Sequence, residues 1–137
     1  AYENFHIKHN LKFNPNYYQD SLNDTTTTGI ELTKKLFNLK NPPTAIICSL
    51  DKFFIGCLQE CQRRGLDAPK DISIVGYNDH DNYLSSQNLT FISHPLAKMG
   101  KMAVEILEKI EKGENPNQLS KLIEPILNEG RSDGRIT

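Results

Sequence analysis

Residues 71–79, DISIVGYND, set three apolar residues, Ile72, Ile74 and Val75, behind an acid and then stop at Gly76-Tyr77-Asn78-Asp79. Apolar, β-branched residues at this density read as a strand in a sheet covered by helices on both faces. In open α/β sheets, ligands sit in the crevice outside the carboxyl ends of the strands, so the polar cluster past this strand is a candidate site. Upstream, LDAPK (66–70) turns the chain into the strand, and Gly65 closes a preceding helix, KFFIGCLQECQRRG, for which Asp51 is placed as N-cap. TAIICSL (44–50) is a second buried strand before that helix. Residues 45–75 therefore read as strand, helix, strand, a right-handed parallel crossover. The fold class is α/β.

Downstream, LTFISHPL (89–96) is a third strand broken by Pro95. A helix follows from Pro95 to 112, with Leu96, Met99, Met102, Ala103, Ile106, Leu107 and Ile110 at steps of three and four and Gly113 as its stop. LIEPILNEG (122–130) is a short extended piece and RSDGRIT a polar tail. Towards the amino end, residues 1–9 suggest the end of a helix stopped by Asn10, followed by a turn-rich connector bent at Asn14-Pro15-Asn16, in which YYQDSL is at most a short strand. A helix over GIELTKKLFNL is capped from within Asp24–Thr28 and ended by the paired prolines of KNPP.

The 137 residues allow one core, and 37% hydrophobic with 24% charged residues is ordinary for a globular chain. A net charge of −1 with no basic stripe excludes a phosphate-gripping surface within the chain. Cys48, Cys57 and Cys61 lie in apolar runs and are odd in number, which points to small buried hydrophobes in a reducing compartment rather than a disulfide framework. No run reaches the roughly 18 apolar residues of a membrane helix and the first ten residues lack a signal peptide's pattern, so a cytoplasmic location is expected.

His6 and His9 have metal-compatible helical spacing, but nothing nearby completes a ligand set, and solvated surface histidines are expected. His80 between two aspartates has no nucleophile beside it. No glycine-rich phosphate loop follows TAIICSL, where DKFFIG puts bulky residues. Neither a metal, a cofactor nor an enzymatic activity is expected. What remains at the strand ends is Asp51, Asn78, Asp79 and His94, groups suited to a small polyhydroxylated ligand, with Tyr77 or Phe53 to stack on its apolar face. Capping and turn duty suit Asp51 and Asp79, while for Asn78 and His94 ligand contact and structural duty both stay open. The helix after Asp51 has Phe53, Phe54, Ile55, Cys57, Leu58 and Cys61, more apolar surface than one stripe needs, so a second contact with another subunit is expected.

Taken in order, residues 41–79 (NPPTAIICSLDKFFIGCLQECQRRGLDAPKDISIVGYND), 89–107 (LTFISHPLAKMGKMAVEIL) and 122–127 (LIEPIL) resemble the C-terminal part of the lactose/galactose-repressor (LacI/GalR) family of bacterial transcription regulators. The resemblance implies a periplasmic-binding-protein-like (type I) fold, a Rossmann-like parallel sheet flanked by helices, present as an incomplete C-terminal subdomain. Residues 1–94 would be the partial effector-binding subdomain, 95–120 a return helix packing on an N-terminal subdomain outside this chain, and 121–137 a final crossover segment and tail. It further implies a small effector, usually a sugar or nucleobase, a homodimer, and operator DNA bound by a helix-turn-helix head also outside the chain.

The family commonly has Asn-Asp where Leu50-Asp51 stand, and Asp where Asn78 stands, next to Tyr77. His94 falls where a Gln or other polar residue reaches the effector, Leu96 in the pocket wall, and Asp24 where an aromatic often stacks. The helix 52–64, through Phe54, Ile55 and Leu58, and the loop 80–88 match the family's subunit interface. A periplasmic sugar-binding protein of a transport system shares the fold and is the alternative. An enzyme of the doubly wound class stands third.

Overall fold

The structure, a computed structural model, describes residues 2–78 and 83–135. Its elements run α1 (Tyr2–Lys8), a 3-10 turn (Pro15–Tyr17), α2 (Thr26–Phe37), β1 (Ala45–Ile47), α3 (Asp51–Arg63), β2 (Ser73–Tyr77), α4 (Tyr83–Ser86), β3 (Phe91–Ser93), α5 (Leu96–Glu111), a second 3-10 turn (Pro116–Gln118) and β4 (Ile126–Asn128). One four-stranded sheet has the order β1-β2-β3-β4. β1 with β2 and β2 with β3 are parallel, while β4 returns antiparallel to β3. The strand–helix–strand unit expected at residues 45–75 is present as β1-α3-β2.

Local chemistry accounts for most boundaries. Asn10 and Gly65 adopt left-handed backbone where α1 and α3 end, at φ 52° and 71°. Asn14 accepts from the Asn16 amide at 3.1 Å and so seeds the turn at Pro15. The connector YYQDSL (17–22) holds no strand; instead the Tyr17 hydroxyl donates to the Asn41 carbonyl at 2.8 Å, tying the connector to the loop before β1. α2 is capped by Thr25, whose hydroxyl accepts from the Thr28 amide at 3.1 Å.

One expectation fails at α3. Leu50, not Asp51, is the N-cap, in extended backbone and without a side-chain cap bond. Asp51 is the first helical residue, and its carboxylate accepts from the Lys52 amide at 2.8 Å. A carboxylate in the first turn still meets the positive end of the helix dipole, which satisfies the same physical demand from one position further in.

α2 and α3 pack against each other over one face of the sheet at a crossing built from two glycines. A Cβ on Gly56 would stand 2.4 Å from the Thr26 carbonyl oxygen, and one on Gly29 2.8 Å from the Phe53 Cα. Beneath the crossing Phe54, Cys57, Ile72, Ile74 and Leu84 are fully buried. Phe54 therefore belongs to this chain's own core, and its proposed place in a subunit interface is withdrawn: at 0% exposure it has no surface to offer a partner. Ile55 and Leu58 are only half-buried, Leu58 against the edge of the core.

The sheet is covered on one face only, contrary to the expectation from its apolar strands. Ile46 and Cys48 point into the core, whereas Ile47 between them is 71% exposed. α5 buries none of its residues, and Leu96, Val104 and Leu107 stand largely in the open.

The expected polar tail is instead part of the sheet region. Ser132 is 1% exposed; its hydroxyl donates to the Ile74 carbonyl at 2.7 Å and accepts from the Thr90 amide at 2.9 Å, while the Ile74 amide donates to the Ser132 carbonyl at 2.7 Å. Residues 132–134 thus take up the edge of β2 that lies ahead of its pairing with β3. That supplies partners for backbone groups that would otherwise be buried unpaired.

Candidate functional site

Parallel pairing brings the carboxyl ends of β1, β2 and β3 to one rim, and these ends hold Leu50, Tyr77-Asn78 and His94. β2 and β3 are paired in register at Tyr77↔Ile92, and the Asn78 amide donates to the Ile92 carbonyl at 2.8 Å. This places His94, two residues past Ile92, beside Tyr77. The Tyr77 hydroxyl lies 2.9 Å from His94 Nε2, and the two rings meet edge to face, with centroids 5.2 Å apart and planes at 86°. Two side chains 17 positions apart in sequence thereby form one unit at the strand ends. Both were expected at the site; their bond to each other was not, because it follows from strand register rather than from local pattern.

Asn78 has φ 63°, a left-handed conformation that an amide side chain tolerates far better than most residues. Its side chain makes no hydrogen bond among the described residues and is half-exposed at the rim. A left-handed turn accepts Asn and Asp alike, so it permits the amide without selecting it. Asp79 and His80 lie outside the described residues, as does the first part of the loop 80–88.

The remaining candidates are distributed around the same end. Leu50 is half-buried and packs on the core cluster as it caps α3. Leu96 opens α5 and is 69% exposed. Asp24 precedes the Thr25 cap of α2, and its carboxylate is 4.0 Å from Lys52 Nζ at the start of α3. The structure thus adds Lys52 as a charged residue beside Asp24. Its sequence signal, a Lys directly after the helix-opening Asp, was readable only as surface.

Among the described residues no group of three His, Cys, Asp or Glu is arranged to hold a metal. His6 Nδ1 is 2.9 Å from the Tyr2 carbonyl oxygen, and the His9 ring lies against Phe5 at 4.4 Å, so both imidazoles belong to a surface aromatic group that includes Phe13. The three cysteines are free and buried. The Cys57 thiol is pushed up by its hydrogen bond with Cys48 and by burial, and that of Cys61 by its bond with Cys57 and by burial. Such thiols are inert. No helix among the described residues is long and apolar enough to cross a membrane.

The sheet is mostly parallel, with helices on one face and polar groups gathered at its strand ends, where open α/β folds place their ligands. The chain belongs to the periplasmic binding protein-like domain family, which it matches over residues 1–132. Within it, the chain is of the kind found in LacI-family regulators and corresponds to their C-terminal part. It is 34% identical over 127 residues to the ribose operon repressor of Haemophilus influenzae, covering 91% of this chain and 38% of the repressor. Over 101 residues it is 31% identical to the HTH-type transcriptional repressor CytR of Escherichia coli, covering 73% of this chain and 30% of that protein. The crystal structure of a LacI-family regulatory protein from Chloroflexus aggregans superposes with a TM-score of 0.84 at 27% identity, covering 97% of this chain and 48% of that one. The chain therefore spans less than half the length of each of these proteins.

Proposed function

We propose that this chain is the effector-binding and dimerisation part of a cytoplasmic, DNA-binding transcriptional regulator, a repressor that senses a small polar metabolite such as a sugar. The observation that carries the reading is the rim where β2 and β3 end together, with Tyr77, Asn78 and His94 on adjacent strands of a LacI-type subdomain. In this reading Asn78 and His94 hydrogen-bond the effector, Leu50 and Leu96 form apolar wall, and Asp24 with Lys52 flanks the opening. The bare sheet face and the uncovered stripe of α5 support the division in which residues 95–120 pack on an N-terminal subdomain. Operator DNA is then bound by a helix-turn-helix head of the complete polypeptide rather than by this segment, whose net charge is −1.

A comparison of the complete natural polypeptide with its His94→Ala variant, by thermal shift against a panel of sugars and nucleobases, tests the site. Loss of a wild-type response in the variant is expected; an unchanged response to every binder removes His94 from the pocket. Dimerisation is assigned to the outer face of α3 through Ile55 and Leu58. Ile55→Arg places an unpaired charge there and is expected to give monomers in sedimentation, whereas a tight dimer would move the interface elsewhere.

The buried free cysteines favour the regulator over a periplasmic sugar-binding protein of a transport system, since an oxidising compartment selects against unpaired thiols.

A further inference from the structure

The hydrogen bond between Tyr77 and His94 has a direction, and the direction decides what the rim presents. A phenol O–H is a good donor but a poor acceptor, because its lone pair is delocalised into the ring, whereas the bare nitrogen of a neutral imidazole is a strong acceptor. At 2.9 Å between Tyr77 Oη and His94 Nε2, the favoured arrangement is therefore O–H···N, with Nε2 unprotonated and the ring proton on Nδ1. The edge-to-face packing of the two rings, at 86° and 5.2 Å, holds the imidazole in that orientation. Nδ1 has no hydrogen-bond partner among the described residues, and His94 is exposed.

We propose that Tyr77 is a positioning residue that holds His94 in its Nδ1–H tautomer, so that the β3 side of the rim offers a neutral hydrogen-bond donor. Resting on the effector reading above, this assigns the ligand atom opposite His94 to the acceptor class: a carbonyl or carboxylate, a ring nitrogen, or the oxygen of a hydroxyl or ether. It also changes the part played by the Tyr77 hydroxyl, which acts through His94 rather than by donating to the ligand. A hydroxyl already committed to an imidazole is no longer available to donate to a ligand.

The test is long-range ¹H–¹⁵N correlation on the complete polypeptide labelled with ¹⁵N-histidine, at about pH 8, where an unperturbed imidazole is neutral. His94→Asn identifies the His94 signals by their loss. The expected pattern for His94 is a protonated Nδ1 and an unprotonated Nε2. Tyr77→Phe retains the ring and removes only the hydroxyl, and is expected to move His94 towards the Nε2–H form that free imidazole side chains prefer. A wild-type His94 protonated on Nε2 or on both nitrogens overturns the proposal, as does a tautomer that Tyr77→Phe leaves unchanged. Both readings are made without any ligand. A failed effector assignment would show instead as an absent thermal response, with the tautomer result intact.

Discussion

Replacing Gly56 by Ala tests the α2–α3 crossing with a prediction whose sign is the informative part. Alanine is the better helix former by about 1 kcal/mol in a helix interior, so on local grounds alone the variant should be more stable. At this position the new Cβ would stand 2.4 Å from the Thr26 carbonyl oxygen, 2.7 Å from the Ile30 nitrogen and 2.8 Å from the Gly29 carbonyl carbon. Ordinary contact begins near 3.4 Å, so the helices must part by up to about 1 Å or the backbone must bend. All three obstacles are main chain, and none can turn aside by changing rotamer. Overpacking of this kind costs about 1–3 kcal/mol, and the upper end applies where backbone meets backbone. Set against the gain in helix propensity, the expected net loss is about 2 kcal/mol. Urea unfolding of the complete polypeptide, read at constant m-value, measures it. A midpoint raised by the amount that propensity alone predicts would refute the close crossing. Because the same two helices bring Asp24 and Lys52 together at their amino ends, a destabilised crossing should also weaken whatever binds at the rim.

The other predictions concern groups that no ligand needs. Glu60 is 1% exposed and accepts from Arg63 Nε and Nη2 at 2.7 Å and from Arg64 Nε at 2.6 Å. The Arg63 hydrogen bonds, helped by the one from Arg64, hold its carboxyl down to about 2 against burial, which raises it. Its contribution is thus complete above the ordinary glutamate range and disappears as pH falls towards about 2. Glu60→Gln should cost about 1–3 kcal/mol near neutral pH and flatten the acid limb of a stability–pH curve, while an unaltered acid limb would exclude the clamp. Ser132→Ala leaves the Thr90 amide and the Ile74 carbonyl short of a partner and should cost about 1–3 kcal/mol by chemical denaturation, against near-neutrality if the segment were a loose tail. A polypeptide of residues 1–137 alone should self-associate in sedimentation, because apolar side chains of α5 left in water forgo about 1.5–3 kcal/mol each; a monodisperse monomer with a sharp melt would contradict this.

Elements with local signals were legible in the sequence. Asn10, Gly65 and Gly113 mark stops because left-handed backbone favours Asn and Gly, and all three do take positive φ. The 45–75 unit follows from two apolar runs flanking a helix with Gly at its end. What escaped depends on partners distant in sequence. An internal Gly56 is visible in the helix, but only the opposing backbone of α2 explains it. Phe54 and Ile55 are equally apolar neighbours on α3, and no pattern says which is core and which is half-exposed. Ser132 sits in RSDGRIT, a stretch as polar as any disordered tail, and its burial follows from the unpaired edge of β2.

Asn78 is where the two kinds of information meet. Where the family commonly has Asp, the amide reads from sequence as a change in what the site binds. The backbone at φ 63° supplies a separate cause, since Asn is among the few side-chain-bearing residues that accept a left-handed turn at small cost. Asp tolerates that turn as well, so conformation permits the amide without demanding it, and the identity of residue 78 on its own says little about the ligand. Ligand chemistry is then better sought one strand over. His94 lies between β3 and α5, where no positive φ selects its residue type; its carbonyl accepts from the Leu96 amide at 2.8 Å, and among the described residues its side chain hydrogen-bonds only to Tyr77. Under the proposed effector reading, a side chain that the fold does not require, held in one orientation by a neighbour and left with a free edge at the strand ends, is the stronger determinant of what this rim would bind.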